Sequence, residues 1–409
     1  MWTFRRNDTL TALEIGTSKV VAIIAQLSPD ESINIVGFGE SKSRGVLKGE
    51  IVDAKAAHED IRAAIHQAED KADLEVHQLY LAVTGQHIRS HHFSGSHAIA
   101  SADRSITPED VEDVMAHARR FHLGPMDHML HVIRQYFMLD ENKLRHSPVG
   151  MSGSQLSVVL HAIQAKKERL QSTVKCLRQM SLEPENLAFS GLASGLAVLS
   201  PSEKEEGALV IDFGGGVTEY VLCSKGIVSH SGLLAVGGDH VTQDLATGLK
   251  CSFDRAEDLK RKYGAALVDE GACGKIREIS NETGLMDYRV EVESLQKIMN
   301  ERLKELLLII ASEINRYGAD RLFRSVVLCG GGAHIAQISL LAEHVFGCPV
   351  KIGKGHNLNG PSSVTDRPEY ATSLGLLKFG AFDIAREREL ESQRLPLGRR
   401  LRNLFRLEN

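Results

Sequence analysis

Short apolar runs separated by glycine-rich turns open the chain. Leu10 to Ile15, Val20 to Ala25 and Ile33 to Gly39 predict three strands, with Gly16-Thr17-Ser18 and Ser28-Pro29-Asp30-Glu31 as the turns between them. Within 54–72 the apolar positions Ala57, Ile61, Ala64, Ile65 and Ala68 recur at helical spacing. Leu79 to Val83 is a further short strand, and strands followed by helices in this order predict an α/β domain. Residues 84–162 read differently. Thr107-Pro108 with Asp110 marks a helix start, the helix running to about His122, before Gly124-Pro125. Strand-like segments at 129–139 and 155–164 flank the loop Pro148-Val149-Gly150-Met151-Ser152-Gly153, which together predict a small α+β insert. A helix over 167–180 leads into a second α/β block. There Ala208 to Ile211 is a strand, Asp212-Phe213-Gly214-Gly215-Gly216 a tight turn and Glu219 to Cys223 the return strand. A mainly helical stretch spans 239–317, with an apolar stripe at Leu295, Ile298, Met299, Leu303, Leu306, Leu307, Ile310 and Ile314. Then come a strand (Ser325 to Leu328), the run Gly330-Gly331-Gly332 opening a helix over 335–346, and a charged stretch at 383–394 that reads as a linker.

Composition narrows the class. The chain has 409 residues, enough for several domains, with 43% hydrophobic and 25% charged residues, as in an ordinary soluble protein. A formal net charge of −5 argues against nucleic acid as a partner. The six cysteines are scattered without a CxxC pair, which predicts reduced thiols rather than a disulfide framework or zinc site. The histidines, His91-His92 included, show no ligand spacing and read as surface or core residues. No apolar run reaches the roughly 18–20 residues of a spanning helix. Arg5 and Arg6 are not followed by an apolar segment and cleavage site, so a secretory signal is not expected.

Two acidic, glycine-rich turns carry the chemistry: Glu14-Ile15-Gly16-Thr17-Ser18-Lys19 and Asp212 to Thr218. Each lies between two strands, which excludes the Walker and Rossmann readings, where a helix follows the glycines directly. Glycines let both hairpins approach phosphate oxygens closely enough for backbone N–H donation. The candidate phosphate contacts are Gly16, Thr17, Ser18, Lys19, Gly214, Gly215, Gly216 and Thr218, with hydroxyls from Thr17, Ser18 and Thr218. Glu14 and Asp212 can hold a magnesium ion through its waters. Gly330, Gly331 and Gly332 can pass flat beside a base or ribose. Each turn alone is a common hairpin; the three in this order are far more specific.

That order resembles the phosphate-1, phosphate-2 and adenosine motifs of the actin, Hsp70 and sugar-kinase superfamily. Finer segments resemble the bacterial FtsA family of cell-division proteins: Val83-Thr84-Gly85-Gln86-His87-Ile88-Arg89-Ser90, Ile106 to Val111, Asp140 to Gly153, Val174 to Arg178, Leu192-Ala193-Ser194, Val236 to Thr242 and Ala256 to Gly264. The resemblance covers about residues 10–380. It implies an α/β, actin-like two-lobed fold of duplicated ribonuclease-H-like domains with an α+β insert in place of the second actin subdomain. The implied boundaries are 1–83, 163–193 and about 368–384 for the first lobe, 84–162 for the insert, 194–238 and 318–367 for the second, 239–317 for a helical subdomain and 385–394 for a linker. It also implies ATP and Mg2+ as ligands, Glu257 and Lys260 flanking the adenine, and a filament of its own copies. The C-terminal peptide of the polymer-forming FtsZ is expected on the helical subdomain at Arg302 and Glu305, and other division proteins on the insert. The implied place is the cytoplasmic face of the inner membrane at the division site.

Departures from the family pattern bear on turnover. Glu14 stands where the family usually has Asp, and Val217 and Glu219 replace Thr and Asp. Ser190 to Leu196 lacks the acidic residues usual near Leu-Ala-Ser. A carboxylate that orients water is one of the few things a protein adds to phosphoryl transfer. Nucleotide binding with slow or negligible hydrolysis is therefore expected, at most a weak ATPase. Alternatives are a PilM-like pilus-assembly adaptor and a small-molecule kinase of the same fold.

The last fifteen residues form an amphipathic pattern. Leu397, Leu401, Leu404 and Phe405 line one stripe, and Arg399, Arg400, Arg402 and Arg406 occupy the other faces. So short a helix needs a surface to fold on, and basic residues with an apolar stripe suit anionic inner-membrane lipids. The alternative is docking onto the chain's own domain.

Overall fold

The computed structural model describes residues 8–394 apart from 102, 120–123, 145, 281–286 and 319–321. Strands β1 (Asp8–Ile15), β2 (Lys19–Leu27) and β3 (Ile33–Lys42) form an antiparallel meander. β4 (Val46–Leu47) and β5 (Glu50–Ile51) follow as a small hairpin. Its central residues Lys48 and Gly49 both have positive φ, 50° and 76°, the combination whose twist matches that of paired strands. α1 (Ala54–Ala72) starts at Asp53, whose side chain accepts from the amides of Lys55 and Ala56, and it buries the stripe predicted for it. β6 (Gln78–Val83) then pairs parallel to β1.

The insert consists of β7 (Arg89–Ala98), α2 (Pro108–Arg119), β8 (Asp127–Leu139), β9 (Asn142–Leu144) and β10 (Gln155–Lys166). Its sheet runs β7-β10-β8-β9, antiparallel throughout. The Thr107–Asp110 start is as read: Asp110 accepts from the Thr107 amide at 2.8 Å and its hydroxyl at 2.7 Å. α2 covers the sheet through Val114 and Ala118, packed on Phe137, Leu156, Val158 and Leu160.

α3 (Lys167–Arg178) returns the chain to β11 (Glu183–Phe189), completing the sheet β11-β6-β1-β2-β3. α4 (Ser190–Val198) and α5 (Pro201–Glu206) lead to β12 (Ala208–Phe213), β13 (Thr218–Ser224) and β14 (Ile227–Leu234), a second meander. Next are α6 (Gly238–Gly248), α7 (Phe253–Tyr263), the hairpin β15 (Ile276–Ser280) and β16 (Asp287–Glu291), and α8 (Val292–Arg316). β17 (Ser325–Cys329), α9 (Ile338–Phe346) and β18 (Val350–Ile352) finish the sheet β14-β13-β12-β17-β18, and α10 (Ser362–Thr365) and α11 (Ala371–Arg394) close the described chain. The two five-stranded sheets share one plan: an antiparallel meander followed by two parallel strands.

α4 and α11 lie between the sheets. One core joins Leu10, Val21 and Ala25 of the first sheet to Val210, Val221 and Val327 of the second through Ala193, Ala197, Leu374 and Leu377 of these helices. Burying each larger side chain contributes about 1.5–3 kcal/mol, so this seam binds the lobes strongly. The outer face of the first sheet packs under α1 around Ile61 and Ile65. That of the second packs under α6 to α9, where α8 buries Leu295, Met299, Leu303, Leu306, Leu307, Ile310 and Ile314. Ile298, also in the predicted stripe, is partly buried.

Four expectations change. The charged stretch read as a linker, 385–394, is helical, because α11 runs on to Arg394. The stretch 239–317 holds the β15–β16 hairpin among its helices. Gly330 to Gly332 opens only a short 3-10 turn (Gly331–His334), and α9 begins at Ile338. The lobe boundary placed at 193/194 falls inside α4. Among the described residues no helix is long and apolar enough to cross a membrane.

Candidate functional site

The two acidic hairpin turns close in the same way: the Gly16 amide donates to Lys19 O at 2.9 Å, and the Gly214 amide to Val217 O at 3.0 Å. They face each other. A Cβ added to Gly215 would lie 3.3 Å from Ser18 Cβ, and one on Gly216 would lie 2.6 Å from Thr17 Oγ1 and 2.9 Å from Lys48 Cα. Any side chain at 216 would push the turns apart. Thr17 Oγ1 accepts from the Gly49 amide at 3.0 Å, so the β4–β5 hairpin forms a third wall. Thr218 differs from its expected part: its hydroxyl donates to Val236 O at 2.7 Å and the residue is fully buried. Lys19 leans toward β3 and the turn before α11, its Nζ 3.9 Å from the Tyr370 ring centroid and 3.9 Å from Glu40.

Three carboxyls converge beneath the turns, each held by hydroxyls of other segments. Ser373 Oγ donates to Glu14 at 2.6 Å. Asp212 accepts from Ser194 Oγ and, at 3.0 Å, from Thr372 Oγ1. Glu219 Oε1 accepts from Thr84 Oγ1 at 2.6 Å and Ser190 Oγ at 2.8 Å. Burial pushes Glu14 up to about 7, against the pull of Lys19. Burial, then the charge of Asp212, pushes Glu219 up to about 8. Asp212 is also raised, by burial. No group of three or more His, Cys, Asp or Glu among the described residues could hold a metal ion directly.

Ser190 to Leu196 has no acid of its own, yet two carboxyls of the second sheet meet it, Asp212 at Ser194 and Glu219 at Ser190. Glu219, on β13, places its carboxyl against Ser190, the first residue of α4. The pairing joins residues 29 positions apart, and no local pattern signals it. The β4–β5 hairpin was also missed, although Lys48-Gly49 between Leu47 and Glu50 is a legible two-residue turn.

α6 begins on the second turn: the amides of Gly238 and Asp239 donate to Gly214 O at 3.0 Å and Gly215 O at 2.8 Å. Its N-terminus therefore borders the cleft, where a helix dipole favours anions. Glu257 and Lys260 pair at 2.6 Å and are part-buried rather than a solvated surface pair. Both reach Thr242 of α6, Glu257 accepting at 2.6 Å and Lys260 donating at 2.7 Å, and Lys260 Nζ also donates to Gly238 O at 3.1 Å. Gly330 meets Asp212: with φ of 79°, its Cβ would sit 2.3 Å from Asp212 Oδ1. Gly332 packs on the Phe213 ring, whereas Gly331 faces open space. The third glycine run thus abuts the Asp212 turn, which itself faces the first turn.

Arg302 and Glu305 lie elsewhere, on α8. Arg302 pairs with Asp244 of α6 and with Glu305, each at 2.5 Å. The tail residues Leu397, Arg399, Arg400, Leu401, Arg402, Leu404, Phe405 and Arg406 lie outside the described residues.

Comparison with known proteins agrees with this architecture. The family model "Cell division protein FtsA" matches residues 209–375, and "SHS2 domain inserted in FTSA" matches 85–164. The chain is 31% identical over 381 residues to the cell division protein FtsA of Pseudomonas aeruginosa, covering 93% of this chain and 91% of that one. It belongs to the FtsA family. The FtsA of Escherichia coli K12 is likewise 31% identical over 379 residues, covering 91% of this chain and 90% of that one. Among solved structures, the PilM-PilN type IV pilus biogenesis complex aligns with a TM-score of 0.64 at 17% identity, covering 91% of this chain and 98% of that one. MreB5 of Spiroplasma citri bound to ADP aligns with 0.52 at 15%, covering 94% and 99%. These two likenesses carry the fold alone: an actin-like, two-lobed architecture. In this FtsA-family chain the four-stranded sheet with α2 is the SHS2 insert.

Proposed function

We propose that this chain binds ATP with magnesium between its lobes, polymerises on the cytoplasmic face of the inner membrane and tethers the FtsZ ring there. The observation that carries the reading is the apposition of Gly215 and Gly216 to Ser18 and Thr17. Two facing glycine turns bring the backbone of Gly215 and Gly216 against Thr17 and Ser18, a setting in which turn N–H groups can meet phosphates, and the positive end of the α6 dipole lies beside them. Gly215, Gly216 and the hydroxyls of Thr17 and Ser18 hold the phosphates, while Gly16 and Gly214, whose amides close the turns, let the backbone come close; Lys260, Glu257 and the open Gly331 border the adenosine. Glu14 and Asp212 orient the waters of the magnesium ion, which neutralises phosphate charge when bound. MreB5 of Spiroplasma citri, a neighbour in fold, was crystallised with ADP, which supports a nucleotide as the ligand.

Hydrolysis is slow or negligible in this reading, for a reason different from the one the sequence suggested. The carboxyl at the start of α4, Glu219, is held protonated at neutral pH by burial and is engaged by two hydroxyls; it is a poor base for water. The C-terminal residues 395–409 attach the chain to anionic lipids, weakly per copy and strongly along a filament. The FtsZ C-terminal peptide docks beside Arg302 and Glu305, and later division proteins dock on the insert.

Two measurements on purified full chain test this. A fluorescent ATP analogue with Mg2+ should bind the wild type and be lost in Gly216→Val; equal affinity of both overturns the cleft assignment. Sedimentation with anionic liposomes should fail for a chain ending at Arg394 while nucleotide binding persists; retained sedimentation refutes the tail assignment. Turnover of multiple ATP per protein per minute contradicts slow hydrolysis.

A further inference from the structure

The insert interrupts the first lobe's sequence yet is fastened to the second lobe. Ser90 Oγ donates to Ser231 O of β14 at 2.5 Å, His92 Nε2 to Ser229 O at 3.0 Å, and Gln135 Nε2 to Val228 O at 2.8 Å. His161 Nε2 lies 2.9 Å from Ser231 Oγ. Three imidazoles meet at this seam. The ring centre of His92 stands 4.9 Å from those of both His161 and His230, which are 6.4 Å from each other. His161 is buried at 1% exposure, and the Nδ1 atoms of His161 and His230 are buried without a hydrogen-bond partner.

Among the described residues, the surroundings offer a proton on these rings no counter-charge. From β7 comes His91, besides His92. From β8 comes His131, whose Nε2 accepts from the Phe189 amide at 2.9 Å. β10 contributes His161 itself, and β14 contributes His230 with Ser229 and Ser231. The end of α8 brings the Tyr317 ring to 5.0 Å from His230, and its charged residues Arg316 and Glu313 are paired with each other at 3.1 Å. After burial, the groups acting on His161 are four other histidines, and the one acting on His230 is His92. Burial holds His161 down to about 3 and His230 to about 4. Like charges about 5 Å apart would also repel one another.

We propose that this seam is an acid-released clasp: neutral imidazoles hold the insert against β14, and their protonation frees it from the second lobe. Released imidazoles titrate near 6.5, whereas docked ones stay neutral well below that. Below pH 6.5 each of these two rings therefore favours release by about tenfold per pH unit, and His161 with His230 by about a hundredfold. Above that pH the clasp stays closed. The inference does not depend on the nucleotide reading, because none of these residues borders the cleft.

Hydrogen exchange of the full chain at pH 7.5 and 5.5, normalised to intrinsic rates, tests it. Amides of 227–234 and 89–98 should lose about a hundredfold protection at pH 5.5, while those of 8–15 keep theirs. The double variant His161→Gln, His230→Gln should lose most of this difference, with only the His92 contribution left. Equal protection of the wild type at both values, or the same loss in the double variant, overturns the proposal. Should the double variant not fold, His230→Gln alone decides: a loss cut to about tenfold supports the clasp, and an undiminished hundredfold loss refutes it.

Discussion

Glu219→Gln probes the chemistry of the cleft most directly. The residue is 3% exposed, and its carboxyl, ordinarily near 4.5, is pushed up to about 8, chiefly by burial. Between those values the folded protein keeps a proton that the unfolded chain releases. Stability is therefore greatest below pH 4.5 and falls as pH rises toward 8. Over the roughly 2.5 pH units from 4.5 to 7, at about 1.4 kcal/mol per unit, this one group destabilises the ligand-free fold by about 3 kcal/mol. Glutamine removes the titration but keeps an oxygen to accept from Thr84 and Ser190. Glu219→Gln should thus raise the unfolding free energy at pH 7 by up to about 3 kcal/mol and flatten its decline between pH 5 and 8. Glu14, at about 7, leaves a residual slope in the variant. Urea denaturation without nucleotide, followed by circular dichroism at several pH values, measures both quantities. A variant weaker than wild type at pH 7, or two parallel pH profiles, would falsify the premise that the buried carboxyl is strained.

Gly330→Ala should lower stability by about 2–4 kcal/mol, since the new methyl meets Asp212 in a backbone conformation that only glycine adopts freely; the urea midpoint reports it. Lys260→Met removes the cation shared by Glu257, Thr242 and Gly238 O. Titration with a fluorescent ATP analogue should show affinity reduced about tenfold or more, and an unchanged Kd would place Lys260 outside the nucleotide site. Lys378 donates to Leu196 O and Ala197 O at the end of α4, so Lys378→Met should cost about 1–2 kcal/mol in the same urea assay by stranding carbonyls.

Much of the fold is legible because its signals are local. The apolar runs at 10–15 and 208–211 are strands in any environment that buries them, and the stripe from Ala57 to Ala68 has a helix's spacing. The glycine turns were readable because both lobes use the same strand–turn–strand grammar. What escaped reading depends on distance or competition. Glu219 becomes part of the cleft only when Thr84, 135 residues earlier, and Ser190 fold against it. The hydroxyl of Thr218 looked free in the sequence but is claimed by Val236 O, just past the end of β14. The hairpin at 276–291 lies between strongly helical segments that mask its alternation. The charged residues of 385–394 suggested a break in structure, yet they are good helix formers continuing a helix already anchored on the first sheet.

The shared layer of α4 and α11 has a practical consequence for anyone dissecting the molecule. Ala193, Leu374 and Leu377 belong to one apolar body with strands of both sheets, so a fragment carrying either sheet alone would leave a wide oily surface open to water. Separately expressed halves should aggregate or stay unfolded, and should become soluble when co-expressed. Such reassembly of split fragments would offer a handle for reporting on lobe association inside cells.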